Sequence, residues 1–174
     1  MIITQFHVAG NTCSYRALTD PKSITEGWKV GHGRIGNALT GIPADSSGSL
    51  HGKFAYVGYL SPDALRQTQV DHSAAIFTLE SQSFTLKKPA NLHYDVFLRS
   101  AFPELMVCVN TQNTCIKSYK LRDVHTASDK WWHQRETIAL SPGTHKVLFV
   151  ARNVSGNQYV AIDNIELDPK SALC

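Results

Sequence analysis

Apolar and polar residues alternate with a period of two along much of this chain. The alternation is clearest in Lys53 to Tyr59, Ala74 to Glu80, Leu92 to Arg99, Leu105 to Val109, Trp132 to Leu140, His145 to Ala151 and Tyr159 to Leu167. These segments are rich in β-branched and aromatic residues, so each predicts a strand with one face turned to a core. Between Leu92 and Leu98 one face is Leu92, Tyr94, Val96 and Leu98, and the other carries His93, Asp95 and Phe97. Clusters such as Ser46-Ser47-Gly48, Lys88-Pro89, Ser141-Pro142-Gly143 and Ser155-Gly156-Asn157 read as the turns between strands. The best helical candidate, Asp63 to Val70, is too short and too polar for a full helix.

Many short strands without intervening helices predict an all-β fold, a two-sheet antiparallel β-sandwich of jelly-roll type. Residues 1–174 read as a single domain, with no linker, repeat or low-complexity tract dividing them. The stretch from Gly31 to Gly52 lacks strand character over about 20 residues, longer than an ordinary connection. It is expected to be a functional loop or to hide an irregular strand.

Composition narrows the partners. The chain has 174 residues, 43% hydrophobic and 18% charged, a globular balance with a net charge of +3. Its Lys and Arg residues are scattered, only Lys87 and Lys88 being adjacent, so no nucleic-acid partner is expected. Apolar runs such as Val147 to Ala151 have strand length, so no membrane insertion by this domain is expected. Met1 to His7 lacks the basic start and apolar core of a signal peptide; a secreted protein would show here as a mature or excised fragment.

The cysteines point to an oxidising compartment. Cys13, Cys108, Cys115 and Cys174 form no Cys-x-x-Cys pair, which argues for disulfides over zinc. Cys108 and Cys115 flank a polar turn, Asn110 to Asn113, that would set them opposite each other in a hairpin. That pairing leaves Cys13 with Cys174, tying the ends of the domain together. Asn153-Val154-Ser155 is an N-glycosylation acceptor beside a turn, which suits an extracellular location.

No constellation supports catalysis, so the chain is not expected to be an enzyme. The glycines of Gly31-His32-Gly33-Arg34-Ile35-Gly36 have dinucleotide-fingerprint spacing, but no helix follows them through Gly41-Ile42-Pro43. The eight histidines are dispersed, and no nucleophile elbow occurs. The odd spacing of Asp163 and Glu166 sends them to opposite faces of a strand. Trp131 and Trp132 also face opposite ways; Trp132, sharing parity with Ile138 and Leu140, is expected in the core. Trp131 either lies exposed, as an anchor for a protein or a platform for a sugar, or packs under a loop. Tyr59 is a second aromatic candidate for a glycan.

In order of segments the chain resembles the MAM domain, named for meprin, a neuropilin-type antigen and receptor protein tyrosine phosphatase mu. The resemblance runs through Cys13 and Trp28, Gly52 to Val57, Ala75 to Leu79 with Phe84, Leu92 to Val96, Trp132 to Leu140 and Lys146 to Ala151. It ends on Val160-Ala161-Ile162-Asp163-Asn164-Ile165 and Cys174, its most specific part, with Asn164 where the family usually has a second acidic residue. The cysteine set also differs from the common one. The resemblance implies a jelly-roll module of secreted or membrane-anchored proteins that binds an extracellular protein or itself. It further implies a structural cation such as Ca2+, with Asp163 as ligand and Asp45 as a further candidate. A carbohydrate-binding jelly roll, or a non-catalytic domain attached to an extracellular enzyme, are the alternative readings.

Overall fold

The computed structural model describes residues 2–4, 14–19, 27–58, 76–124 and 131–168. Within them are thirteen strands: β1 (Ile2–Thr4), β2 (Ser14–Thr19), β3 (Lys29–His32), β4 (Lys53–Val57), β5 (Ile76–Ser81), β6 (Phe84–Leu86), β7 (Ala90–Leu98), β8 (Glu104–Val109), β9 (Cys115–Tyr119), β10 (Trp132–Leu140), β11 (Gly143–His145), β12 (Val147–Arg152) and β13 (Val160–Asp168). One helical turn, α1 (Leu121–Val124), accompanies them. The helical candidate Asp63 to Val70 lies outside the described residues.

The strands form two antiparallel sheets, as the alternation predicts. One has the order β1-β2-β5-β12-β8-β9 and the other β10-β7-β13-β4-β3, with β11 and β6 paired as a small ribbon. Leu92, Tyr94, Val96 and Leu98 of β7 point inward and meet Leu105 and Val107 of β8 and Phe149 of β12 in the main core. Trp28 closes this core, its indole N–H donating to the Phe77 carbonyl at 3.0 Å.

The sandwich has a third layer. Outward-facing Phe54, Tyr56, Phe97, Ala161 and Trp132 form a second buried cluster with Ile42 and Tyr159. What covers them is the Gly31 to Gly52 stretch, which begins as the end of β3 and then crosses the outer face of the five-stranded sheet. Its first turn is closed by a bridge in which Ile35 and Ile42 exchange both backbone hydrogen bonds at 2.9 Å. Gly36 takes φ +80 there, and a Cβ on it would stand 2.4 Å from the Tyr159 ring.

In the five-stranded sheet two bulges alter the faces expected from simple alternation. On β10 the register against β7 shifts between His133 and Glu136, with Arg135 at φ 59. Trp132 is therefore buried on the outer face, opposite Phe97, while Ile138 faces the main core opposite Leu92. The second shift, on β13 between Asp163 and Glu166, has Asn164 at φ 47. Asp163 pairs with Asp95 and Glu166 with His93, so both carboxylates lie on the outer face, contrary to their odd spacing.

Candidate binding site

A polar clamp holds down the Gly31 to Gly52 loop around Ala44 and Ser46, and at its turn Thr40 Oγ1 donates to the Asn157 carbonyl. The two bulges flank Asp95 on β7, which lies between β10 and β13, and each aims a donor at it. The Arg135 backbone N–H donates to Asp95 Oδ1 at 2.6 Å, and the Asn164 side-chain amide donates to Oδ2 at 2.7 Å. The same amide donates to Ser46 Oγ at 2.7 Å, while Ser46 N–H donates to Asp163 Oδ2 at 3.1 Å. Trp132 completes the clamp, its indole N–H donating to the Ala44 carbonyl at 3.1 Å. Positive φ at Asn164 is tolerable because Asn enters the left-handed region more readily than most residues.

Asp45 folds its own turn, its Oδ1 accepting from Ser49 N–H at 2.6 Å and Ser47 Oγ at 2.7 Å. Gly52 passes so close that a Cβ there would fall 1.6 Å from Asp45 Oδ2. Burial pushes the Asp163 carboxyl up to about 6; hydrogen bonds from Ser46 and Asn164 oppose the rise and the Asp45 charge adds to it. Thus the structure brings Asp45 and Asp163 together, with Asp95 joining them. Among the described residues no Lys or Arg side chain bonds these three carboxylates. The donor set is oxygen and acidic, which in kind fits a hard cation. It is not assembled as a cage: among the described residues no group of three or more His, Cys, Asp or Glu side chains is placed to hold a metal. Asp45 and Asp163 are the residues that would hold a cation, and its chemistry there would be charge neutralisation between loop and strand.

At the end of the sandwich the same loop borders a cleft of about 320 Å³ between Arg34 to Pro43 and Arg99. Arg99 follows β7, and its guanidinium lies 4.9 Å over the ring of Trp131, which precedes β10 at φ 58. Trp131 is half-buried, packed against the outer cluster. Leu39 and Phe102 stand in the two turns that flank this end and are 80% and 72% exposed. Arg34, Arg99 and Asp95 went unnamed as site residues in the sequence; a charged residue inside an apolar strand was the one available signal, for Asp95.

Cys108 and Cys115 form the expected disulfide across the β8-β9 hairpin. Asn153 is exposed at the bend after β12. Tyr59, Cys13 and Cys174 lie outside the described residues.

The chain is thus an all-β two-sheet sandwich with a loop clamped over one outer sheet face and a cleft at the end of that loop. No protein-family model and no curated protein sequence matches the chain. Solved structures do share its fold. The K1 cleaved adhesin domain of Lys-gingipain from Porphyromonas gingivalis aligns at TM-score 0.58 with 15% identity, over 98% of this chain and 99% of that one. The K3 cleaved adhesin domain of the same protein aligns at TM-score 0.50 with 14% identity, over 85% of this chain and 95% of that one. Among the described residues no helix is long and apolar enough to cross a membrane.

Proposed function

We propose that this chain is a non-catalytic adhesion module of an extracellular protein, recognising a protein partner, or a second copy of itself, through the loop end around Arg99 and Trp131. The observation that carries the reading is the end-to-end likeness to an adhesin domain, 98% of this chain against 99% of that one. The MAM-like order of segments supports the same role, as do the Cys108–Cys115 bridge and the exposed Asn153 acceptor, both suited to an oxidising, secretory environment. A structural cation held by Asp45 and Asp163 belongs to this reading as a fastener of the loop, away from the ligand.

Recognition of a glycan is the second reading, and it is favoured by the Arg99–Trp131 stack beside the cleft. In either case the module would serve equally as a domain appended to an extracellular enzyme. Light scattering on the purified domain, with capture assays against extracellular proteins and a glycan array, tests the proposal. A strictly monomeric domain that binds neither protein nor glycan would overturn it.

A further inference from the structure

Two surface clefts differ in how their charges are matched. The larger, about 360 Å³ and lined by Tyr15, Arg16, Glu80 and Lys146 among others, contains its own counter-charge, with Lys146 Nζ 3.5 Å from Glu80 Oε2. The cleft beside Trp131 has two guanidinium groups, Arg34 and Arg99, and among the described residues no acidic one lines it. Among the described residues neither arginine has a hydrogen bond or ion pair, and Arg99 has only its stacking on Trp131. Asn37 is occupied with its own turn: its Oδ1 accepts from Leu39 N–H at 2.8 Å and Thr40 N–H at 2.9 Å, and its Nδ2 donates to Thr40 Oγ1 at 2.8 Å.

We propose that this cleft binds an anionic sugar residue, its carboxylate or sulfate held by Arg34 and Arg99. The proposal deepens the glycan reading above and rests on it. A guanidinium presents a planar fork that matches an oxyanion with two parallel hydrogen bonds. Stacking on Trp131 fixes the plane of the Arg99 fork before a ligand arrives, so less freedom is lost on binding. Ile35, Ile42 and Pro43 supply an apolar lining for the C–H face of a sugar ring. An acidic peptide suits the site less. Ile35 and Ile42 bond each other's backbone groups and Gly41 N–H bonds the Asn37 carbonyl, so part of the turn's backbone is already paired. The cleft also lies at the small end of ligand sites, closer to one sugar unit than to an extended chain.

Calorimetric titration with an oligogalacturonate, a sulfated heparin oligosaccharide, a neutral galacto-oligosaccharide and poly-glutamate tests this on the whole domain. Arg34→Ala, Arg99→Ala and Arg99→Lys are compared after thermal melts establish that each folds like the parent. The expected result is binding of an acidic oligosaccharide but not the neutral one, weakened by salt and reduced about tenfold or more in each Ala variant. Arg99→Lys, keeping the charge but losing the fork, falls between. Binding that ignores all three substitutions overturns the proposal, and so does poly-glutamate binding equally well with the same arginine dependence. If no acidic oligosaccharide binds while the domain still captures an extracellular protein, this inference fails and the adhesion reading stands. A domain that binds nothing removes both.

Discussion

Tyr119 donates its hydroxyl to Glu136 Oε2 at 2.6 Å, and this bond joins edge strand β9 of one sheet to edge strand β10 of the other. Lys117 Nζ reaches the same oxygen at 2.9 Å, and His133 Nδ1 lies 2.8 Å from Oε1. Inside the core the Tyr94 and Tyr119 hydroxyls meet at 2.8 Å, so one carboxylate anchors a polar seam along the side of the sandwich. Burial raises both tyrosines, which stay protonated throughout the physiological range.

The seam makes stability depend on pH in a definite direction. Burial works to raise the Glu136 carboxyl, but hydrogen bonds from Tyr119 and Lys117, with the Lys117 and His133 charges, outweigh it and hold the group below its usual value. A lowered folded pKa contributes stability that is complete above the ordinary carboxylate range and is lost as pH falls through the folded value. Glu136→Gln should therefore cost about 1–3 kcal/mol near neutrality, and the gap from the parent should shrink in acid. Urea unfolding at neutral and acidic pH measures it; a gap that does not change with pH would remove the seam's electrostatic role.

The cation expectation has its own test. If Asp45 and Asp163 hold calcium, about 1 mM Ca2+ should raise the melting temperature of the parent at pH values where Asp163 is ionised. Asp163→Asn should abolish that rise. A parent whose melting is unmoved by calcium would leave the clamp to its N–H donors alone.

Gly36 is sensitive for two reasons, its φ of +80 and the Tyr159 ring 2.4 Å from where a Cβ would stand. Tyr159 is buried, so the ring has little room to give. Gly36→Ala should destabilise the domain by about 2–4 kcal/mol, combining backbone strain and overpacking. Chemical denaturation reads this directly, and a loss under about 0.5 kcal/mol would mean that the turn rearranges freely.

The disulfide closes a short loop, a sequence separation of seven, and so constrains the unfolded chain only modestly. Replacing Cys108 and Cys115 together by Ala should cost about 2–3 kcal/mol on the chain-entropy estimate while the fold persists. Circular dichroism with a denaturant midpoint checks both parts; a double variant that fails to fold would assign the bridge a larger role.

What the sequence could reveal depended on whether a signal was local. The inner face of β7 was readable because Leu92, Tyr94, Val96 and Leu98 repeat with the strand period, and the Cys108–Cys115 hairpin because both partners lie seven positions apart. Trp132 was assigned to the core rightly as to burial but on the wrong face, and Asp163 and Glu166 were wrongly separated. One inserted residue at each bulge reverses parity, and φ angles at Arg135 and Asn164 leave no periodic trace. The cleft was hidden because Arg99 and Trp131 meet only through the pairing of β7 with β10, and Arg34 joins them only when the loop folds back.

The loop's hydrogen bonds span the chain: Trp132 to Ala44 covers 88 positions and Ser46 to Asp163 covers 117. These contacts need β10 and β13 in place beside β7, so the loop is expected to dock after the five-stranded sheet has formed and to be a natural unit of local opening. The cleft exists only while the loop is docked. A ligand in the cleft would draw on that same opening equilibrium, slowing hydrogen exchange at Ser46, a site it never touches.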